Sequence, residues 1–138
     1  MKIVVISGYF AAPYNLHKGY QTYCKKAKEL GDYVIAIHAN ENQIINKYNN
    51  KIKSFDMPVD ENIVSIDKDS TVSETLREIK KKYSNDEVIF FKSGGEYNEN
   101  NLPEINVENI KFVFDNSPKE ASSSEIMKLR KKEKVWQK

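Results

Sequence analysis

Residues able to do chemistry gather in three stretches of this 138-residue chain. The first is Ile6-Ser7-Gly8-Tyr9-Phe10-Ala11-Ala12-Pro13-Tyr14-Asn15-Leu16-His17-Lys18-Gly19-Tyr20. It joins a short apolar run, Ile3-Val4-Val5-Ile6, to an amphipathic stretch over 18–30. The run reads as a buried parallel strand and the stretch as a helix. A Gly-bearing loop between a first strand and a first helix is where open α/β sheets hold phosphates, because the helix N-terminus offers unpaired N–H donors and partial positive charge. His17 and Lys18 add an imidazole and an ammonium there, and Gly19 stands at the helix mouth. The second stretch is Ser93-Gly94-Gly95-Glu96-Tyr97, directly after an apolar run. The third is Ser122-Ser123-Ser124, a run of hydroxyls suited to an N-cap or to phosphate oxygens.

The intervening sequence supplies the elements that would position these groups. Strands are expected over 2–7, 33–37, 63–66, 87–91 and 110–114. Helices are expected over 18–30, 41–49, 72–83 and 123–134. In the first helix Tyr20, Tyr23, Cys24, Ala27 and Leu30 fall at helical spacing, and Gly31-Asp32 stops it. Ser70 or Thr71 is the expected N-cap of the helix over 72–83, whose stripe is Val72, Leu76 and Ile79. Asn49-Asn50 and Pro58 mark an irregular loop. Alternating strands and helices predict a Rossmann-like three-layer α/β/α sandwich with a mostly parallel five-stranded sheet, formed as one domain over 1–138. Loops 8–20, 92–104 and 116–124 would then meet at one edge, where such sheets bind ligands.

Composition narrows the function classes. The chain is 39% hydrophobic and 30% charged, with a net charge of +2 and both signs mixed, so a nucleic-acid partner is not expected. The single cysteine, Cys24, cannot form an internal disulfide and reads as a small core residue. No apolar run approaches the roughly 20 residues of a membrane span. The chain opens directly on a strand, without a signal-peptide pattern, so a cytoplasmic protein without a membrane partner is expected.

Several segments together resemble one family, the cytidylyltransferase-like nucleotidyltransferases. The first loop is similar to the Gly-x-Phe … His-x-Gly-His signature: Phe10, His17 and Gly19 match, and Ala27 to Tyr33 is close to the family's end of helix one. Gly94-Gly95-Glu96-Tyr97 … Asn101-Leu102-Pro103-Glu104 resembles the Gly-Gly-Asp-Arg … Asn-Ile-Pro-Glu loop of the branch near glycerol-3-phosphate cytidylyltransferase. Ser122-Ser123-Ser124-Glu125-Ile126 resembles the family's Ser-Ser-Ser/Thr helix start, and Asp67 to Val72 fits the branch's linker before the third helix. The resemblance covers most of the chain in order. It departs at Tyr20, where the signature has its second His, at Ala11, where Asp or Asn is common, and at Glu96-Tyr97, where the branch has Asp-Arg. The loop between Phe10 and His17 is longer than usual, and the usual Glu-Arg pair between strands two and three is absent from the sequence.

The resemblance implies an enzyme that joins a nucleoside triphosphate, CTP first, to a phosphorylated small molecule, with Mg²⁺ arriving on the triphosphate and pyrophosphate released. His17 would stabilise the transition state, with Lys18 and Tyr20 beside it. Gly8, Tyr9, Phe10 and Gly19 would approach the nucleotide. Gly94, Gly95 and Glu96 would edge its base or ribose, and Ser122, Ser123 and Ser124 its distal phosphates. Relatives commonly pair as homodimers. A Tyr in place of the second imidazole keeps an O–H donor but no positive charge. Losing one such donor costs on the order of 2.7–4 kcal/mol at the barrier, which predicts a slow enzyme.

The alternative is a non-catalytic nucleotide-binding module of the same fold, and a remnant that binds no nucleotide is a third reading. For single residues plainer roles stay open. His17 would be a satisfied loop histidine, Tyr20 a core aromatic, Gly94-Gly95 a tight turn, and Ser122 to Ser124 only an N-cap. Lys47, Lys51 and Lys53 either reach a triphosphate or form a solvated run, and His38 belongs either to the core or to the pocket.

Overall fold

A computed structural model of the chain describes residues 1–11, 17–93 and 97–115. The order is β1 (Lys2–Gly8), α1 (Lys18–Leu30), β2 (Tyr33–His38), α2 (Glu41–Tyr48), β3 (Glu61–Val64), α3 (Ser73–Lys82), β4 (Glu87–Lys92), a 3-10 turn (Pro103–Asn106) and β5 (Lys111–Phe114). The five strands form one sheet in the order β3-β2-β1-β4-β5, and every neighbouring pair is parallel. The expected helix over 123–134 lies outside the described residues. Among the described residues no helix is long and apolar enough to cross a membrane.

Strand periodicity divides the core between the two faces of the sheet. Val4, Ile6, Val34, Ala36, Ile89 and Phe91 meet Tyr20, Tyr23, Cys24 and Ala27 of α1. Ile3, Val5, Ile35, Ile37, Val88 and Phe90 meet Leu76 and Ile79 of α3. The segment after α2 shields the α1 face through Ile52, Phe55, Met57 and Val59, and Leu102 and Val107 shield the α3 face.

α1 ends where expected, but not through a left-handed glycine. Gly31 is extended, at φ −163°. It is glycine because a Cβ there would lie 2.7 Å from Val4 Cγ2 and 2.8 Å from the Lys2 carbonyl. That close approach lets Asp32 exchange two hydrogen bonds with Lys2, each of 2.9 Å.

The third strand is displaced from the expected 63–66. It pairs from Ile35↔Glu61 to His38↔Val64. Its polar residues are inside the ladder because they bond there: Asn62 to the Met57 backbone and His38, and Glu61 to the Tyr33 hydroxyl. Val64 and Ile66, which suggested the strand, are instead about three-fifths exposed, at 61% and 60%.

The N-terminus of α3 also differs from expectation. Neither Ser70 nor Thr71 occupies the cap position, which is Val72 without a side-chain bond; the Thr71 hydroxyl reaches only the Ser73 amide, at 3.4 Å. Two distant carboxylates substitute. Asp67 accepts from the Glu74 and Thr75 amides at 2.8 and 3.0 Å, and Glu104 accepts from the Val72 amide at 3.2 Å. Both acids are buried, and the donors of a helix start are where buried carboxylates are best accommodated. Glu104 thereby ties the loop before β5 to α3.

Candidate functional site

The strand order reverses direction at β1, because the chain builds outward through β2 and β3 and then returns to place β4 on the other side. The carboxyl ends of β1 and β4 therefore flank the switch point, the place where an open parallel sheet admits a ligand. The two strands separate there. Their pairing runs from Lys2↔Glu87 to Val5↔Phe90 and stops, although β1 extends to Gly8 and β4 to Lys92.

Tyr23 fills the gap from the α1 face. Its hydroxyl donates to the Phe91 carbonyl and lies 3.4 Å from the Ser7 amide, satisfying backbone groups that the ladder leaves. Burial pushes its phenol well above the usual tyrosine range, which keeps it a donor. On the α3 face Lys92 Nζ lies 3.4 Å from Ser7 Oγ. The Tyr97 ring centroid is 4.8 Å from the same ammonium.

At the end of β1 the chain turns on Phe10. Its φ is 46°, in the left-handed region, and its ring is fully buried. The ring meets Tyr20 edge-on at 5.1 Å and His38 at 5.0 Å, and its carbonyl accepts from the Phe55 amide. Folding back this way brings the ring under Gly8, where a Cβ would lie 3.1 Å from it. The Gly8 carbonyl accepts from the Ala39 amide. Tyr9 sits between Tyr48, edge-on at 5.7 Å, and Lys47 Nζ, 4.3 Å above its ring. Burial, with a smaller contribution from nearby Tyr97, raises its phenol.

His17 is the N-cap of α1 and is 4% exposed. Its Nδ1 accepts from the Tyr20 amide at 3.2 Å, and its carbonyl accepts from the Tyr20 and Gln21 amides. An accepting Nδ1 carries no proton, so the geometry assigns the ring proton to Nε2. The Tyr20 ring lies on the imidazole at 3.7 Å, within 11° of parallel, and is itself buried. Tyr20 thus packs in the core and holds His17 in orientation. Lys18 is exposed in the first turn, with the half-exposed Gly19 next to it.

Gly8, Tyr9, Phe10, His17, Lys18, Gly19 and Tyr20 are thus set at the end of β1 and the start of α1. Gly94, Gly95, Glu96, Ser122, Ser123 and Ser124 lie outside the described residues. His38 belongs to the core: Nε2 lies 2.7 Å from Asn62 Oδ1 and Nδ1 3.0 Å from Ser54 Oγ. Both contacts of the Asn62 amide with Met57 fix which end is oxygen, so Nε2 is the donor. Among the lysines of the middle region, Lys47 stands beside Tyr9, whereas Lys51 forms an exposed pair with Glu41 and Lys53 is exposed.

Two features of the site escaped the sequence reading. The Tyr23 bridge shows in the sequence only as a helical apolar position, and the Ser7–Lys92 approach joins residues 85 apart. A lysine ending an apolar strand beside a glycine pair was the one available signal for Lys92.

No family model and no curated protein matches the chain. Among solved structures, a lipopolysaccharide core biosynthesis protein from Thermoplasma volcanium GSS1 is similar at 25% identity and a TM-score of 0.58, over 88% of this chain and 99% of that one. This likeness agrees with the α/β Rossmann-like fold.

Proposed function

We propose that this chain is a nucleotidyltransferase of the cytidylyltransferase-like kind, joining a nucleoside triphosphate to a phosphorylated small molecule. The observation that carries the reading is His17: a buried imidazole that caps α1 beside the β1 turn, with its proton directed to Nε2. A helix N-terminus and an N–H donor form a site for phosphate oxygens that gain charge during transfer. The neighbour's role in lipopolysaccharide core biosynthesis supports a biosynthetic reaction.

An acceptor phosphate oxygen attacks the α-phosphorus in line. The new P–O bond forms as the bond to the bridging oxygen breaks, and pyrophosphate leaves with that electron pair. His17 donates from Nε2 to the α-phosphate or the leaving oxygen, and Lys18 adds charge at the first turn. Tyr20 serves as a positioning residue through its stack on His17. Hydroxyl, imidazole and ammonium groups at this edge suit phosphate oxygens. In this reading Mg²⁺ would arrive on the triphosphate and keep several of its waters.

The test is pyrophosphate release with Mg²⁺ and each nucleoside triphosphate against phosphorylated acceptors, comparing the native chain with His17→Ala. Turnover lost in the variant upholds the reading. One observation favours a binding module instead: the Tyr20 ring is taken up by His17 and Phe10, where the family signature has a second imidazole. A triphosphate that stabilises the protein and is recovered intact would establish that reading.

A further inference from the structure

Where the β1–β4 ladder ends there is a polar pair on the face away from His17. His17, Phe10 and Tyr20 lie with α1, as Phe10 and Tyr20 belong to the core on that side. Ser7 and Lys92 lie on the α3 side. Lys92 follows Phe90 by two residues, its ammonium is 5.7 Å from that ring, and Phe90 and Tyr97 both pack on the α3 face. Continued by two steps, the β1–β4 register would place Ser7 opposite Lys92. The ladder has opened by then, and the side chains face each other across the mouth of the gap at 3.4 Å.

An ammonium has three donors, and a hydroxyl both donates and accepts. Set side by side at the carboxyl edge of a parallel sheet, with Tyr97 steadying the cation, they suit the tetrahedral oxygens of a phosphate monoester. We propose that Ser7 and Lys92 form a second phosphate subsite, which takes the phosphate of the acceptor, while His17 and the α1 N-terminus take the nucleotide. A transfer between two phosphorylated substrates needs two distinct holders, and this pair lies on the other side of the sheet's carboxyl edge from His17. Which phosphate the pair receives rests on the nucleotidyl-transfer reading; that it receives a phosphate does not.

The test titrates the full chain with inorganic phosphate, following the Ser7 and Lys92 backbone amides by NMR. Separately, thermal shift measures the affinity for whichever nucleoside triphosphate stabilises the protein most. Saturable shifts at both amides are expected. Lys92→Gln should weaken phosphate binding by about tenfold or more and leave triphosphate affinity within about twofold, with Lys92→Arg intermediate. Ser7→Ala, which removes only a hydroxyl, should weaken phosphate binding by roughly threefold and serves if Lys92→Gln does not fold. Unchanged phosphate affinity in a folded Lys92→Gln or Ser7→Ala protein overturns the subsite. An equal loss of triphosphate affinity also overturns it, by giving the pair to the nucleotide. Phosphate held through Lys92 in a chain that binds no triphosphate upholds the subsite and removes the nucleotidyl-transfer reading.

Discussion

His17 combines two tasks at one position, and substitution separates them. As a cap it satisfies the Tyr20 amide; as a buried imidazole it presents an N–H on its other nitrogen. Asn is a strong N-cap, so His17→Asn should melt within about 1 kcal/mol of the native chain, while His17→Ala gives up the cap at a cost of about 1 kcal/mol. Thermal melts of the two variants check this. Tyr48 offers the opposite case. Its hydroxyl is buried with no hydrogen-bond partner, the one such side-chain atom among the described residues. Tyr48→Phe removes a desolvated group that gains nothing in return, and should raise stability by up to about 1 kcal/mol in urea unfolding. Cys24 is a core residue, as its helical spacing suggested. Burial pushes its thiol up from 9.0 to about 11. The native thiol thus keeps its proton after the unfolded one has lost it. The associated stability is full below about pH 9 and is lost as pH rises towards 11. Cys24→Ala should flatten the pH dependence of stability over that window, and native Cys24 should react slowly with a thiol reagent at pH 8.

Elements governed by local rules were legible; those held by distant residues were not. The bounds of α1 followed from apolar spacing and a glycine, although that glycine is required for space beside Val4 rather than for a left-handed turn. The start of α2 carried a readable signal in Asn40 and Gln43, which form a reciprocal capping box. For α3 the adjacent hydroxyls misled: Thr71 reaches only the Ser73 amide, while the Glu74 and Thr75 amides are taken by Asp67, seven and eight residues away, and the Val72 amide by Glu104, 32 residues away. Nothing in a local window distinguishes these carboxylates from solvated ones. Asp67 also accepts from the Thr75 hydroxyl at 2.6 Å. Asp67→Ala therefore strands several buried donors and should cost roughly 2–3 kcal/mol in chemical denaturation. Glu104→Ala should speed hydrogen exchange at the Val72 amide and free the loop before β5, with the sheet amides unchanged. For β3, two β-branched residues, Val64 and Ile66, outweighed the polar Glu61 and Asn62, whose ladder positions depend on partners in β2 and the preceding loop.

At the scale of the whole molecule, alternating strands and helices were enough to expect an α/β sandwich, and the sheet is parallel throughout rather than mostly so. Strand order was not legible, because it is set by packing between segments far apart in the chain. It is the order that places β1 and β4 side by side, with His17 on one face and Lys92 on the other. The opposite edge holds a groove between α3 and the start of β5, where Lys111 pairs with Glu87, Lys81 pairs with Glu78, and Lys80 donates to the Asp86 carbonyl. The most direct test is pyrophosphate release by the native chain and by His17→Asn, whose helix cap is intact. With Mg²⁺, one triphosphate and its phosphorylated acceptor, the native chain should turn over, and His17→Asn should be folded and slower by roughly 10²–10³. Equal rates from the two proteins, or no release from the native chain with any pair, would contradict nucleotidyl transfer at His17.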